Sequence, residues 1–444
     1  MAGYGRRVGH STGVHDDLAA QALVVSDGKR KAAMVSVDVL ALGIRICDSI
    51  AARIASQTDI PAEAVMVCAT HTHSGPQFNI FATPGNGPSE ASDRDLDWER
   101  ALPEKIARAV IEADANLRPA IFAAGRGRFD LATNRRLMRT DGTIQLAPNY
   151  TAATETELMA VGFYEATGEE NPIAVLVNYP CHGVVLCEDN LLYSRDWPGF
   201  AVDTIEALLK DDELDIPVIA LFTQGASGNL DPARRGNFDT AAVTGGTAGM
   251  TALRALEEEA AAEEFPFLCR RIPLRLGLRD LSGPLTIARA NVRQTEVALQ
   301  NHGDTGGYHL KRLTDQHQRS IDELNALLRL EEANRKDRRV DQQTRELKTH
   351  MTILAIGEVA FVGIPGELFV ELGIAIRSNS YFKHTLVLGY CNDLAGYFPT
   401  RDAYELGGYE VETSRVTQGS GEFIAQQALA NMAAMRREIT TKLK

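Results

Sequence analysis

The stretch "VMVCATHTHSGPQF", residues 65–78, runs apolar from Val65 and then turns through His71, Thr72 and His73 into Ser-Gly-Pro. Side chains alternate along a strand with a period of two, so His71 and His73 share a side if strand geometry continues through them. Two imidazoles on one side at a strand end can share a metal ion or divide the labour around it. They are also compatible with ordinary polar loop positions.

Working outward, "KAAMVSVDVLAL" (31–42) reads as a strand and "IRICDSIAARIASQ" (44–57) as a helix with its apolar positions on one face. A polar loop rich in Pro, Gly, Ser and Asp (82–97) leads into the helical "LDWERALPEKIARAVIEADANL", and "AIFAAGRGRF" returns to strand. The pattern of 65–78 then recurs. "NPIAVLVNYPCHGVVL" (171–186), "IPVIALFTQGASGNL" (216–230) and "MTILAIGEVAFVGIPGEL" (351–368) each run from an apolar β segment into a Gly or Pro turn carrying polar residues. This alternation predicts an α/β fold, a mixed β-sheet core flanked by helices, with functional groups gathered on loops beyond the strand ends. The charged segment 283–348, poor in β-branched residues and broken by "NHGDTGGYH" (301–309), reads as a helical hairpin inserted between core strands. With no Pro/Ser-rich linker, residues 1–444 are expected to form a single domain.

The bulk composition narrows the function. Of 444 residues, 59 are acidic and 46 basic, giving a formal net charge of −13, which argues against a nucleic-acid partner. No stretch approaches roughly 18 uninterrupted apolar residues, so no membrane insertion is expected. The N-terminus lacks an apolar core of signal-peptide length. Six cysteines (Cys47, Cys68, Cys181, Cys187, Cys269 and Cys391) stand without a CxxC pair and read as buried thiols, and the chain as cytoplasmic. Homo-oligomerisation is left open.

Two other strand-end loops carry potential metal ligands, His182 in "NYPCHGVVL" and Glu367 in "GIPGELFVELG". The tyrosine-rich "GYCNDLAGYFPTRDAYELGGYE" (389–410) follows, compatible with a packed loop as well as with a site. Taken in order, "THTHSGP", "NYPCHG", "QGASGNLDP", "PGEL" and this last stretch resemble the catalytic domain of the neutral, non-lysosomal ceramidases, a family of zinc amidases. The likeness runs over roughly 10–410. It implies one zinc ion per chain held by His71, His182, Glu367 and Tyr397. Two imidazoles, a carboxylate and a phenolic oxygen are donors that Zn²⁺ accepts, with room for a water. His73 is then placed to handle a proton, either at that water or at the leaving nitrogen, with orientation of a ligand as its other reading. Tyr409 matches a family tyrosine that faces the developing oxyanion. Arg135, in "LATNRRLM", resembles the family's Asn-Arg element near the pocket, or forms a surface salt bridge.

The resemblance breaks at "QGASGNLDP". Ceramidases usually read Gly-Asp-x-Ser-Pro there, whereas this chain has Gly228, Asn229, Leu230, Asp231 and Pro232. A serine nucleophile at that position is excluded, and Asp231 becomes a proton acceptor or substrate contact. Ser227 does not sit in a Gly-x-Ser-x-Gly elbow. The signal and the C-terminal immunoglobulin-like domain of secreted ceramidases are not seen. These departures point to a small-molecule amide other than ceramide, attacked by a metal-bound hydroxide, with ceramide itself, an ester or lactone, and a non-catalytic metal-binding relative as rivals. The glycines of "VTGGTAGMTALRALEEEA" (243–260) lack the Gly-Lys-Ser/Thr of a phosphate loop and read as a close-packed helix start. Arg195 and Asp196 read as pocket-shaping or helix-start residues, and His15 as a possible pocket residue.

Overall fold

The structure is a computed structural model that describes residues 1–78, 93–166, 171–211, 217–257, 267–301 and 307–442. Most of the expected loop at 82–97 and the expected break at 301–309 fall outside the described residues.

Three sheets, each fed by short apolar runs, arise in chain order. The first comprises β1 (Ala20–Ser26), β2 (Lys31–Val37) and β3 (Val65–Ala69), with α1 (Ile44–Gln57) and α2 (Asp93–Ala115) beside it. Strand β1 is antiparallel to β2, and β2 is parallel to β3. Helix α1 forms over the stretch read from its periodicity, because Ile46, Ile50 and Ile54 recur every four residues and make one buried stripe.

Next come β4 (Ala120–Arg128), β5 (Ala132–Met138), β6 (Ile144–Asn149), β7 (Glu157–Glu165) and β8 (Pro172–Tyr179). Then follow α3 (Asp196–Leu208), β9 (Ile219–Gln224), β10 (Leu230–Pro232) and α4 (Phe238–Glu257). The second sheet has the order β9-β8-β7-β4, in which β8 and β9 are parallel, and β10-β5-β6 form a separate antiparallel ribbon. Gly245 and Gly249 do allow close packing, though in the middle of α4 and not at its start. A Cβ at Gly249 would lie 2.8 Å from the Ala201 carbonyl of α3, and one at Gly245 would strike the Trp197 carbonyl.

The third region holds β11 (Phe267–Gly277), α5 (Ser282–Gln300), α6 (Gly307–Lys336), β12 (Glu346–Ile356) and β13 (Val359–Gly363). It continues through β14 (Glu367–Leu368), α7 (Val370–Ser378), β15 (His384–Leu388), β16 (Tyr397–Phe398), α8 (Tyr409–Thr413) and α9 (Ser420–Lys442). The order is β11-β12-β13-β15, with β13 and β15 parallel. The hairpin is present as α5 and α6 between the paired strands β11 and β12, but it is shorter than expected. Val340–Asp341 and the first residues of β12 are strand instead, paired with each other across a turn at 342–345.

Met34 and Met66 of the first sheet, Val161 and Leu176 of the second, and Leu354 and Phe361 of the third meet in one apolar core. Helices cover the opposite faces: α1 and α2 on the first sheet, α3 and α4 on the second, α7 and α9 on the third. Each of the three sheets that share this core contains one parallel pair, and the chain leaves the carboxyl ends of β3, β8, β9, β13 and β15 into the loops that carry the polar motifs. No described helix is long and apolar enough to cross a membrane. The six cysteines are free, but only four are buried; Cys187 and Cys269 are half-buried, each lying beyond or at the border of the closed core.

Candidate active site

Strand β3 ends at Ala69, so strand geometry does not continue through the histidines. His71 takes the left-handed conformation (φ 64°), and this kink folds its ring back over the loop. Its Nδ1 donates to the Leu40 carbonyl at 2.7 Å, and its backbone N–H to Val39. His182 is fixed the same way, Nδ1 donating to the Leu230 carbonyl at 2.9 Å. A carbonyl only accepts, so both rings carry their proton on Nδ1 and turn the Nε2 lone pair inward. Glu367 Oε2 lies 3.9 Å from His71 Nε2 and 3.6 Å from His182 Nε2.

Short backbone bridges hold the loops in this array. Thr72 pairs with Gly183, joining the two histidine loops, and Gln224 donates to the Thr70 and Cys181 carbonyls at 3.4 and 2.7 Å. Glu367 and Tyr397 are direct partners in the β14–β16 pairing, so two of the ligands implied by the family likeness stand side by side. Asp196 caps the His182 loop by accepting from the Val185 and Leu186 N–H groups, while Trp197 Nε1 donates to the His182 carbonyl at 3.0 Å. Asp196 and Arg195 are therefore structural; Arg195 pairs with Asp16 and Asp203. His15 stacks on Phe238 at 3.7 Å and is not part of the histidine cluster.

His73 completes a cluster. One ring nitrogen from each of His71, His73 and His182 lies within 4.8 Å of the others, so His73 also qualifies as a metal donor. Its Nε2 lies 3.2 Å from His71 Nε2, and its Nδ1 is buried with no hydrogen-bond partner among the described residues. Burial pushes His71 down to about 3, against the pull of Glu367, and drives His73 well below the ordinary imidazole value. Burial alone would raise Glu367, but His182 and His71 hold it below the usual carboxylate value. Neutral imidazoles around an ionised carboxylate are the protonation state a divalent cation requires.

Arg135 is the hub of the polar wall. Its Nε donates to Glu410 Oε1 at 2.8 Å, Nη1 to Asp231 Oδ1 at 3.1 Å and His182 Nε2 at 3.3 Å, and Nη2 to the Gly228 carbonyl at 2.9 Å and Tyr397 Oη at 3.2 Å. The surface salt bridge weighed for it is thus replaced by a buried network. Asp231 carries an arginine on each oxygen, Arg135 on one and Arg235 on the other. Burial would raise its pKa, but these arginines and His182 hold it below the ordinary value, which makes it a poor proton acceptor. Asn229 ties the loop to α7, accepting from the Val370 N–H and donating to Glu371, both at 2.9 Å. Ser227 is buried with its hydroxyl against Tyr390 Oη at 3.4 Å. Tyr409 is 45 % exposed, placing it at the rim, its ring 5.8 Å from that of Tyr397.

The family profile described as "Neutral/alkaline non-lysosomal ceramidase, N-terminal" matches residues 1–250, more than half of the chain. The chain belongs to this family. Neutral ceramidase of Pseudomonas aeruginosa is 23% identical over 479 residues, covering 99% of this chain and 70% of that protein. The crystal structure of neutral ceramidase from Pseudomonas aeruginosa superposes with a TM-score of 0.67 at 20% identity, over 96% of this chain and 70% of that one. A ceramidase structure complexed with C2 gives 0.68 at 20% identity, over 98% and 74%. The solved structures bear on the fold, which this member of the ceramidase family shares with them.

Two residues of the site escape a reading by motif. Tyr390 stacks on His71 at 3.9 Å and donates to Glu367 Oε2 at 3.0 Å. Glu410, wholly buried, holds both Arg135 and Arg136. Both lie inside "GYCNDLAGYFPTRDAYELGGYE". A glutamate next to Tyr409, in a stretch already rich in site residues, was the available signal.

Proposed function

We propose that this chain is a zinc-dependent amide hydrolase that cleaves the C–N bond of an N-acyl small molecule, with one ion held by His71, His182, Glu367 and Tyr397. The observation that carries the reading is the inward convergence of two Nε2 lone pairs on one carboxylate, each ring locked from behind by a backbone carbonyl. Acceptors facing acceptors in a buried space are stabilised by a cation. Zinc bound there supplies Lewis-acid polarisation of a carbonyl and an acidified water.

The protein's own groups do the rest. His73, whose Nε2 lies in the cluster 3.2 Å from that of His71, is placed to take a proton from the attacking water and return it to the nitrogen as the C–N bond breaks. Arg135 is fixed on its Nε side by Glu410 and offers positive charge beside Tyr397, where the carbonyl oxygen gains negative charge. Tyr409 contributes a hydroxyl from the rim. Asp231, saturated by arginines, positions Arg135. That saturation supports a substrate other than ceramide, since a carboxylate and its arginines occupy the place of the family serine. Ester and lactone carbonyls are the chemically adjacent substrates. A cytoplasmic location is proposed from the sequence, whose six scattered cysteines form no CxxC pair.

The test is elemental analysis of wild type, His71→Ala and Glu367→Ala, followed by release of fatty acid from N-acyl amides with and without a chelator. About one zinc per chain in wild type, lost in both variants, with hydrolysis abolished by chelation, is the expected result. Unchelated wild type that stays metal-free after zinc is offered overturns it.

A further inference from the structure

The N-terminal residues lie across the outer side of His73. The Ala2 N–H donates to the Gly75 carbonyl at 3.0 Å, and Gly3, at φ 98°, passes so close that a Cβ there would sit 2.5 Å from the His73 ring. Tyr4 follows, its ring centroid 5.0 Å from that of His73 and its hydroxyl donating to the Leu186 carbonyl at 2.6 Å. The Arg7 guanidinium rests 4.8 Å from the centroid of the same tyrosine, with Nη1 donating to the Ala2 carbonyl at 2.8 Å.

Its other edge is unusual. Nε and Nη2 are buried and have no hydrogen-bond partner among the described residues. These two N–H groups point the same way and form the planar fork that receives both oxygens of a carboxylate. A buried guanidinium edge left unmet is costly, so a fork of this kind is held for something. It stands one aromatic ring away from His73. Glu188 acts on Arg7, and Arg235, Asp196 and Asp231 act on Tyr4 beside it. With the Glu188 carboxylate already acting on Arg7, a singly charged carboxylate is tolerated better than a doubly charged phosphate.

Resting on the amidase reading above, we propose that Arg7 is a specificity-determining residue that receives the carboxylate of an N-acyl amino acid. The substrate class is therefore an anionic amide.

The experiment compares N-octanoylglycine with N-octanoylethanolamine, which share the acyl group and the amide but differ in the carboxylate. Release of octanoate and equilibrium binding by calorimetry are measured for zinc-loaded wild type, Arg7→Met and Arg7→Lys. Wild type is expected to favour the glycine conjugate about tenfold or more in kcat/KM and in affinity. The ratio should collapse toward one in Arg7→Met and recover in part in Arg7→Lys, which keeps the charge but loses the fork. Hydrolysis of both compounds with no preference in wild type, or with a preference unchanged in Arg7→Met, overturns the assignment of Arg7 and leaves the amidase reading standing. An Arg7-dependent binding preference without any octanoate release does the reverse.

Discussion

Two buried polar clusters in this chain are built on opposite plans. At the site, His71 Nε2, His182 Nε2 and Glu367 Oε2 bring acceptors to face one another. About Asp393, acceptors face donors. That carboxylate is fully buried and accepts from the Ile44 and Leu394 N–H groups at 3.0 and 2.8 Å, from Thr349 Oγ1 at 2.7 Å and from Arg339 Nη1 at 2.6 Å. Arg339 forks onto Asp337, which also holds Arg415 at 2.8 Å, and Arg415 Nε donates to Asn334 at 2.7 Å. Among the described residues, this cluster leaves over two donors, Arg415 Nη2 and Asn334 Nδ2. It bolts the hairpin end to the 389–398 loop and the start of α1. A buried network in which donors meet acceptors holds together by its own bonds; one that opposes acceptors asks for a cation.

The largest effect that would break this contrast is at the site. Replacing Glu367 by Ala removes the only carboxylate among the described residues that faces both histidines. Hydrolysis of an N-acyl amide should fall about a thousandfold or more, roughly 4 kcal/mol, and zinc should be lost, while the urea midpoint of the metal-free protein moves little. A metal-free Glu367→Ala protein that unfolds as readily as an Asp393 variant would mean that both clusters are structural.

Asp393→Ala is the converse. It strands the Arg339 guanidinium in a buried place, and the expected cost is about 3–5 kcal/mol by urea denaturation. The variant that still folds should bind zinc at the wild-type stoichiometry. Loss of zinc from correctly folded Asp393→Ala protein would show that the bolt is part of the site.

Much of this was legible along the chain, and the pattern of what was not is physical. The apolar runs announced β2, β3, β8, β9 and β12, since each must bury both faces between another sheet and a helix layer, and the polar turns after them announced the site. The β5, β6 and β10 ribbon carries no such signal: "ATNRRLM" hides Arg135 and Arg136 among residues that look solvent-facing. Pairings across large sequence separations, such as Glu367 with Tyr397 and Thr72 with Gly183, are also silent in the sequence. The family likeness supplied the ligand set, but not the stacking of Tyr390 or the grip of Glu410. Nor did the alternation argument survive at His71, where a left-handed residue and not a continued strand brings the rings together.

Acid offers a smaller, graded test of the bolt. Burial would raise Asp337, but Arg339 and Arg415 outweigh it and hold it at about 2. A carboxyl lowered on folding stabilises the native state above its unfolded value, near 4, and that contribution is lost as pH falls through about 2. The stability difference between wild type and Asp337→Asn should therefore be about 2 kcal/mol near neutral pH and shrink steadily between pH of about 4 and about 2. A difference independent of pH over that window would assign the effect to packing and not to the charge on Asp337.

The smallest change sharpens the contrast most, because it leaves the shape of the site alone. Tyr390→Phe keeps the ring that stacks on His71 at 19° but removes the hydroxyl that donates to Glu367 Oε2. If the hydroxyl orients the carboxylate toward the two histidines, zinc affinity should fall about tenfold, as for other outer partners of metal ligands. Stability should change by only about 1 kcal/mol, because a single neutral donor to a carboxylate is lost and the cavity is no larger than an oxygen atom. Tyr390→Leu, which also removes the stacked ring, should weaken zinc further by freeing the His71 imidazole. Competition with a chelator of known affinity measures both variants. Equal zinc affinity in wild type and Tyr390→Phe would mean that Glu367 needs no help to face the histidines, and that the opposed acceptors are held by the β14–β16 pairing alone.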